Sequence, residues 1–459
     1  MDATGGEQVP VQFAVQDQGR DRTTGFAELA ALLHEYRPEQ VAAIAEITAE
    51  DLLAAARLFG SARQPVIVYG LGVTEHMHGT DGVRTLANLA ILRGSVGTPG
   101  CCGILPLRGQ NNVQGASDMG ALPDLLPGYQ PVTDPEIRAR FAHAWNSPVP
   151  HRPGLRIPQM FDAAVAGDVR ALYVIGEDIA ASDPNTPHVR AALRSCDFVI
   201  CHDLFRSATA EHADVVLPAA SFLEKDGTFV NFDRRFQRVR PALDPPGQAA
   251  PDFDVLHRLA HALGADLGCP TPADALDECA ALTPVYAGLS HQRLDREGPL
   301  HWPCRAPDRP GEAVLYLDHF ATPDGRAALA ARPYLPPGER PNADFPHVLV
   351  TGRRLVHYNT GSMTRRTPDL ELRPAETLDL HPSDAARLGV ADGADVTVTS
   401  RWGRAALTAH LSRDVAPGQV FAGFHFPDAA VNDLTSPHTD TATGCPEYKV
   451  TAVRIQPVR

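Results

Sequence analysis

The chain has 459 residues, enough for about three domains at roughly 150 residues each, and its 44% hydrophobic content is that of a globular protein, not a disordered one. Acidic residues outnumber basic ones, 55 to 41, and the net charge of −14 argues against a nucleic-acid or anionic-membrane partner, which would demand a basic face. No apolar run reaches the ~18 residues of a membrane span, and the opening MDATGGEQVPVQF has neither the basic nor the apolar region of a secretory signal.

Eight cysteines occur, Cys101, Cys102, Cys196, Cys201, Cys269, Cys279, Cys304 and Cys445, and none forms a C-x-x-C pair. Zinc ribbons and ferredoxin-type clusters therefore find no support. Scattered cysteines in a long chain indicate reduced thiols and a cytoplasmic location.

Taken in order, the first twenty or so residues are polar and expected to be loose. Thr24 to Phe59 has helical spacing, with a capping box expected at Thr48 and Asp51. Pro65 to Tyr69 reads as a buried strand that ends in Gly70-Leu71-Gly72, and a helix is expected over Asp81 to Arg93, closed by Gly94. Strand, glycine turn and helix make an α/β unit whose turn can present backbone N–H groups to an anion. Pro131 to Pro158 is proline-rich and expected to be a surface excursion.

Next come strands at Ala171 to Ile175, Phe198 to Cys201 and Val215 to Leu217, separated by a helix that starts near Pro187. Strands alternating with helices imply a parallel sheet, and ligands of such sheets bind at the carboxyl ends of the strands. Gly176, Glu177 and Asp178 fall at one such end; His202 and Asp203 fall at the other. These carboxylates could hold guanine N–H groups or ribose hydroxyls, or could cap the helices that follow. Asp226 sits in a turn, the basic stretch NFDRRFQRVR follows it, and Val255 to Leu263 is amphipathic. Ala331 to Pro346 has five prolines and reads as a linker. Beyond it, strands at 348–351, 377–380, 396–400, 405–410 and 419–422 and a short helix at 382–388 make a small β domain, expected to be a barrel.

The stretch with no period of its own is Pro106 to Pro123, PLRGQNNVQGASDMGALP. Its Asn and Gln side chains each carry donors and an acceptor, and its glycines let backbone approach a ligand. That suits a large polar ligand; a long loop that satisfies its own amides is the alternative.

This stretch, with PGYQ after it, resembles the formate dehydrogenase branch of the molybdopterin oxidoreductase family. So do YGLGVTEHMHGTD (69–81), YVIGED (173–178), ADVVLPAASFLEKDGTFVN (213–231), TGRRLVHYNTGSMTRR (351–366) and EYK (447–449). The resemblance implies an α/β protein: two doubly wound α/β domains with parallel sheets, residues 1–110 and 111–335, then a double-psi-type β-barrel at 345–459. It implies two molybdopterin guanine dinucleotides holding one Mo or W ion, with no metal ligand from this chain. Arg108 would be the catalytic residue, holding the formate carboxylate. Cofactor binding would fall to Gly70, Gly72, Gly109, Gln110, Asn111, Gly176, Glu177, Asp178, His202, Asp203, Asp226, Arg353, His357, Thr360, Asn432, Tyr448 and Lys449.

The family's iron–sulfur cysteines and its Cys or Sec metal ligand have no counterpart in this sequence. The chain is therefore expected to be a part of a formate dehydrogenase α subunit, with partners in an N-terminal-half polypeptide and Fe–S or NAD-linked electron-transfer subunits. A non-catalytic scaffold of the same fold, a cofactor carrier and a degenerate fragment are the alternatives. Formate and carbon dioxide are the expected small-molecule partners; nucleic acid and membrane insertion are not expected.

Overall fold

The computed structural model describes residues 22–101 and 103–458. Expectations for the first twenty residues and for Cys102 lie outside these. The chain divides into two compact units.

One unit comprises the described residues up to Thr74 with Thr80–Gly109 and Glu312–Leu335. It begins with three helices, α1 (Phe26–Leu33), α2 (Pro38–Ala45) and α3 (Ala49–Ser61). Thr48 caps α3: its hydroxyl oxygen accepts from the Asp51 amide at 3.0 Å and donates to the Asp51 carboxylate at 2.6 Å. β1 (Val66–Tyr69) and β2 (Gly103–Pro106) pair in parallel, and α4 (Gly79–Leu92) lies between them in the chain. Contrary to expectation, β1 is not buried. Among the described residues β2 is its single strand neighbour, and Val66 and Val68 are 45% and 51% exposed. Asn88 of α4 ties in the 312–335 stretch, donating to the Ala330 carbonyl at 2.7 Å and accepting from the Ala330 amide at 2.9 Å.

The other unit comprises residues 75–79, Gln110–Gly311 and Pro336–Arg459. α5 (Val113–Asp118) leads into α6 (Pro135–Ala144) and α7 (Ile157–Ala166). The 131–158 region, expected as a proline-rich surface excursion, contains a helix. Asp134 caps it, accepting from the Glu136 and Ile137 amides at 2.9 and 3.1 Å, Pro135 opens its first turn, and Phe141 is fully buried. The expected parallel sheet is present: β3 (Ala171–Ile175), β4 (Phe198–Asp203) and β5 (Val215–Pro218), in that order, with α8 (Thr186–Ser195) between β3 and β4. Phe161 and Ala164 of α7 and Val189, Ala192 and Leu193 of α8 pack on Val174 and Val199 of the sheet.

An antiparallel sheet follows, formed by β6 (Gly227–Val230), β7 (Arg235–Val239) and the two-residue strand Leu300–His301. The basic stretch forms β7 and its turn, and its charges are paired internally. Arg238 bonds Asp226 at 3.0 Å and Asp295 at 2.9 Å, Arg235 bonds Asp233 at 3.1 Å, and Arg240 also reaches Asp295. α9 (Asp252–Ala262), α10 (Pro272–Leu282) and α11 (His291–Glu297) complete this part.

The end of the chain is a closed six-stranded barrel: β8 (His347–Gly352), β9 (Thr377–Leu380), β10 (Asp395–Thr399), β11 (Arg404–Leu411), β12 (Gln419–Gly423) and β13 (Thr451–Pro457). Around it the order is β8-β12-β9-β11-β10-β13, and α12 (Pro382–Leu388) follows β9. Alternate residues Leu378 and Leu380, Val396 and Val398, Ala405 and Leu407, and Val453 and Ile455 fill its core, the period-2 pattern of strands with one buried face. Closure leaves no edge strand. No helix among the described residues is long and apolar enough to cross a membrane.

One residue of the Pro106–Pro123 stretch anchors its own unit. Asp118 is fully buried, and its carboxylate accepts from Gln114 Nε2 at 2.7 Å, the Tyr129 hydroxyl at 2.8 Å and Trp302 Nε1 at 2.8 Å. Tyr286 donates to the Asp118 carbonyl at 3.3 Å. An Asp118→Ala substitution strands these donors in the interior. It is expected to cost on the order of 3 kcal/mol or more, read as a lower midpoint in chemical denaturation; an unchanged midpoint would show that the network is not stabilising.

Candidate functional site: the strand ends and the barrel mouth

The strand ends make an acidic crevice. Asp178 is buried, and its Oδ1 accepts from the Thr209 amide at 2.8 Å and the Thr209 hydroxyl at 2.9 Å. Its side chain caps nothing in the turn that follows it. It instead pins the loop after β4 against the end of β3. Gly176, with φ of 64°, turns the chain there, and its amide donates to the His202 carbonyl at 2.8 Å.

Glu177 opens to solvent, yet the surrounding protein mass raises its pKa, with the Asp178 charge adding to the effect. Asp183 is buried, and burial lifts its carboxyl well above the ordinary range, reinforced by Glu177. Asp203 is raised by burial against the pull of the Leu204 amide, which donates to it at 2.7 Å. His202 is fully buried, held by Tyr173 OH at 3.1 Å and lying 3.6 Å from Asp252; burial lowers its pKa, so it is a neutral ring.

Two side chains from beyond the barrel core reach this crevice. Asn432 Nδ2 donates to the Ala181 and Ser182 carbonyls, both at 2.9 Å, and its buried Oδ1 has no hydrogen-bond partner among the described residues. The Tyr448 hydroxyl donates to the Ser182 carbonyl at 3.1 Å, and burial keeps this phenol neutral. Lys449 is engaged elsewhere: its Nζ lies 2.8 Å from Glu75 and 2.9 Å from the Thr351 carbonyl.

At the barrel mouth, the segment after β8 carries Arg353, Arg354, His357 and Thr360. His357 uses both ring nitrogens, Nε2 donating to the Arg373 carbonyl at 2.9 Å and Nδ1 facing the Thr364 hydroxyl at 3.1 Å. Thr360 is buried and Arg353 is half-buried. Arg354 forks onto Asp379 at 2.9 and 3.0 Å and bonds Glu376 at 3.0 Å, while its amide donates to His425 Nε2 at 2.7 Å. The buried Nε atoms of Arg365 and Arg373 have no hydrogen-bond partner among the described residues. Burial depresses both guanidinium pKa values, with Arg354 and Arg366 adding repulsion. Asp428 opposes the effect at Arg365, and Glu376 and Asp379 oppose it at Arg373, but burial outweighs them.

The remaining predicted residues divide between the units. Gly70, Gly72, Arg108 and Gly109 are in the first. Gly70 ends β1 and Gly72 lies in the single helical turn Leu71–Thr74 that follows at once. Arg108 is exposed, and its charge is near enough to Tyr69 to oppose the burial that raises that phenol. Gln110 and Asn111 open the second unit's loop, exposed; Gln110 Nε2 lies 3.3 Å from Asn359 Oδ1. Asp226 pairs with Arg238 on the antiparallel sheet.

A family model described as "Molybdopterin oxidoreductase" matches residues 12–262, more than half of the chain. The chain belongs to the molybdopterin oxidoreductase family. A second model, "Molydopterin dinucleotide binding domain", matches residues 348–452, which is the barrel. The "F420-dependent formate dehydrogenase 1 subunit alpha" of Methanococcus maripaludis is 41% identical over 443 residues, 96% of this chain and 65% of that protein. "Formate dehydrogenase H" of Escherichia coli is 36% identical over 442 residues, 95% of this chain and 62% of that protein. The chain thus spans only part of the length of these curated relatives, 65% of one and 62% of the other. Acetylene hydratase from Pelobacter acetylenicus shares the fold, with a TM-score of 0.71 over 96% of this chain and 67% of that one, at 17% identity.

A molybdopterin dinucleotide brings a diphosphate and a base, and the residues present fit both. The buried guanidiniums of Arg365 and Arg373, each with an unpartnered Nε among the described residues, suit an anion, and the carboxyl groups and the Asn432 Oδ1 suit a base rich in N–H donors. Sequence reasoning missed Asp183, Arg365 and Arg373. Asp183 stands five residues past Asp178 in GEDIAASD, so a repeat of acids behind the strand end was its only signal; the arginines lie in or just after the quoted TGRRLVHYNTGSMTRR stretch.

The raised Asp183 pKa fixes a pH dependence. Between the unfolded and folded pKa values the unfolded chain has lost the proton and the folded chain keeps it, so stability falls as pH rises through that window. In cofactor-free protein, Asp183→Asn is expected to raise the melting temperature at pH 8 more than at pH 5. An equal effect at both values would show that this carboxyl is not held protonated.

Proposed function

We propose that this chain is part of a molybdenum- or tungsten-dependent formate dehydrogenase that oxidises formate to carbon dioxide and holds its metal through two molybdopterin guanine dinucleotides. The observation that carries the reading is the polar loop PLRGQNNVQGASDMGALP, present without interruption in a chain 41% identical over 96% of its length to a formate dehydrogenase α subunit. When bound, the metal–pterin group supplies the two-electron chemistry.

The chain's own residues bind and orient. Glu177, Asp183 and Asp203 receive guanine or ribose donors at the strand ends, Asn432 Oδ1 takes another, and Arg365 and Arg373 meet phosphate at the barrel mouth. Asp178 and Tyr448 act on this site from behind, through Thr209 and Ser182. Arg108 holds the formate carboxylate through two parallel N–H···O bonds, a geometry that a guanidinium fixes and an ammonium does not. The iron–sulfur clusters and the Cys or Sec metal ligand belong to the stretch of the relatives that this chain does not span. Electrons leave through that polypeptide and through Fe–S or NAD-linked subunits, in the cytoplasm.

Arg108→Lys in the assembled enzyme tests the assignment. Losing a charge-assisted bidentate pair of ~1.5–3 kcal/mol lowers kcat/KM for formate by roughly 10- to 150-fold, with pterin and metal content unchanged. Pterin loss alongside activity would make Arg108 a cofactor ligand, and wild-type kinetics would remove it from the site. A protein that carries the pterin but turns over no formate would favour a non-catalytic scaffold.

A further inference from the structure

The polar stretch Pro106–Pro123 divides at Asn112. From there on it is held inward: Gln114, Gly115 and Asp118 are buried, and Gln114 bonds Asp118 at 2.7 Å. Before Asn112 it is turned outward, with Arg108, Gln110 and Asn111 exposed. Asn112 itself has φ of 59° and ψ of 15°, the left-handed conformation, at the point where the chain enters α5. Among residues that carry a side chain, Asn and Asp adopt it most readily.

The Asn112 side chain does not cap α5. Its Oδ1 accepts instead from the Val230 amide at 2.9 Å. Val230 is 3% exposed and ends β6, which is an edge strand among the described residues. The Asn231 amide faces β7, donating to the Arg235 carbonyl at 3.2 Å, so the Val230 amide one residue earlier points off the open edge. A buried N–H there needs an acceptor, and Asn112 supplies the one that a further strand would have given. Its side chain reaches β6 by lying across residue 115. A Cβ on Gly115 would stand 2.1 Å from Asn112 Oδ1, so the glycine keeps that path open.

We propose that Asn112 is a positioning residue for Arg108. The pin onto β6, together with the left-handed turn, sets the direction of the four residues that precede it, and Gly115 makes room for the pin. The proposal rests on the reading of Arg108 as the residue that holds formate.

Variants of the assembled enzyme test it. Asn112→Gly keeps the left-handed turn and loses the pin. It is expected to lower kcat/KM for formate at least tenfold, with pterin content unchanged. Asn112→Asp keeps both turn and acceptor and stays within about threefold of wild type. Gly115→Ala evicts the side chain and reproduces the Asn112→Gly loss, yet adds nothing to it in the double variant, where there is no side chain to evict. In an Arg108→Lys background, Asn112→Gly costs less than a further twofold, which marks action through Arg108 and not general loosening. The chain alone gives a second readout: tryptic cleavage after Arg108 is at least tenfold faster in Asn112→Gly and in Gly115→Ala than in wild type, and Gly115→Ala decides the point if Asn112→Gly does not fold. The proposal is overturned if Asn112→Gly keeps wild-type kinetics, if its loss multiplies with that of Arg108→Lys, or if Gly115→Ala costs as much without the Asn112 side chain as with it. A wild-type assembly that carries pterin but turns over no formate would refute the functional reading; cleavage after Arg108 then decides the pin, and an unchanged rate in both variants overturns it.

Discussion

The carboxylate of Asp178 accepts two hydrogen bonds from Thr209, and the arrangement of the acidic crevice depends on that link. It joins the end of β3 to the loop after β4, two segments that strand pairing alone would leave free to splay beyond the sheet. With that loop fixed, the turn at Ile179–Ser182 presents its carbonyls to Asn432 and Tyr448. The crevice is therefore built from residues about 250 positions apart in the chain, joined by direct hydrogen bonds. Each of these groups is buried or half-buried, so leaving one unpaired would cost more than the bond contributes when made.

Electrostatics then divide the unit into two dissimilar regions. At the strand ends, burial and mutual repulsion raise the carboxyl groups of Glu177 and Asp183, and burial alone dominates at Asp203. At the barrel mouth, burial depresses Arg365 and Arg373. By contrast, Arg354 is matched by Asp379 and Glu376, and its ion pairs outweigh its burial. A protein selected for stability alone would pair its buried charges as it pairs Arg354. Perturbed groups gathered at strand ends and a barrel mouth are what the proposed ligand site rests on, and a ligand with donors at one end and phosphates at the other would meet both.

Much of this was legible in the residues. The strands read at 171–175, 198–201 and 215–217 announce themselves as short apolar runs, and two of them extend a little further in the structure, to Asp203 and Pro218. What escaped had specific causes. The helix at 135–144 is hidden in proline-rich sequence, where Pro135 starts a helix and does not break one. The antiparallel pair β6-β7 escaped because Arg235, Arg238 and Arg240 make its strand look like solvated charge, and their acidic partners lie as far away as Asp295. Strand β1 reads as buried because its residues are apolar, yet burial depends on neighbours that a strand's own sequence does not contain. In the site, the strand-end acids were readable from position, whereas the structural duty of Asp178 toward Thr209, 31 residues on, was not.

The most direct measurement is the nucleotide released by acid hydrolysis of the chain, isolated in its native assembly from a host that makes molybdopterin dinucleotides. The proposed reading, with raised carboxyl groups taking a base and buried guanidiniums taking phosphate, predicts guanosine monophosphate, together with the fluorescent oxidation product of the pterin. Release of neither guanine nucleotide nor pterin from the intact assembly would contradict the account.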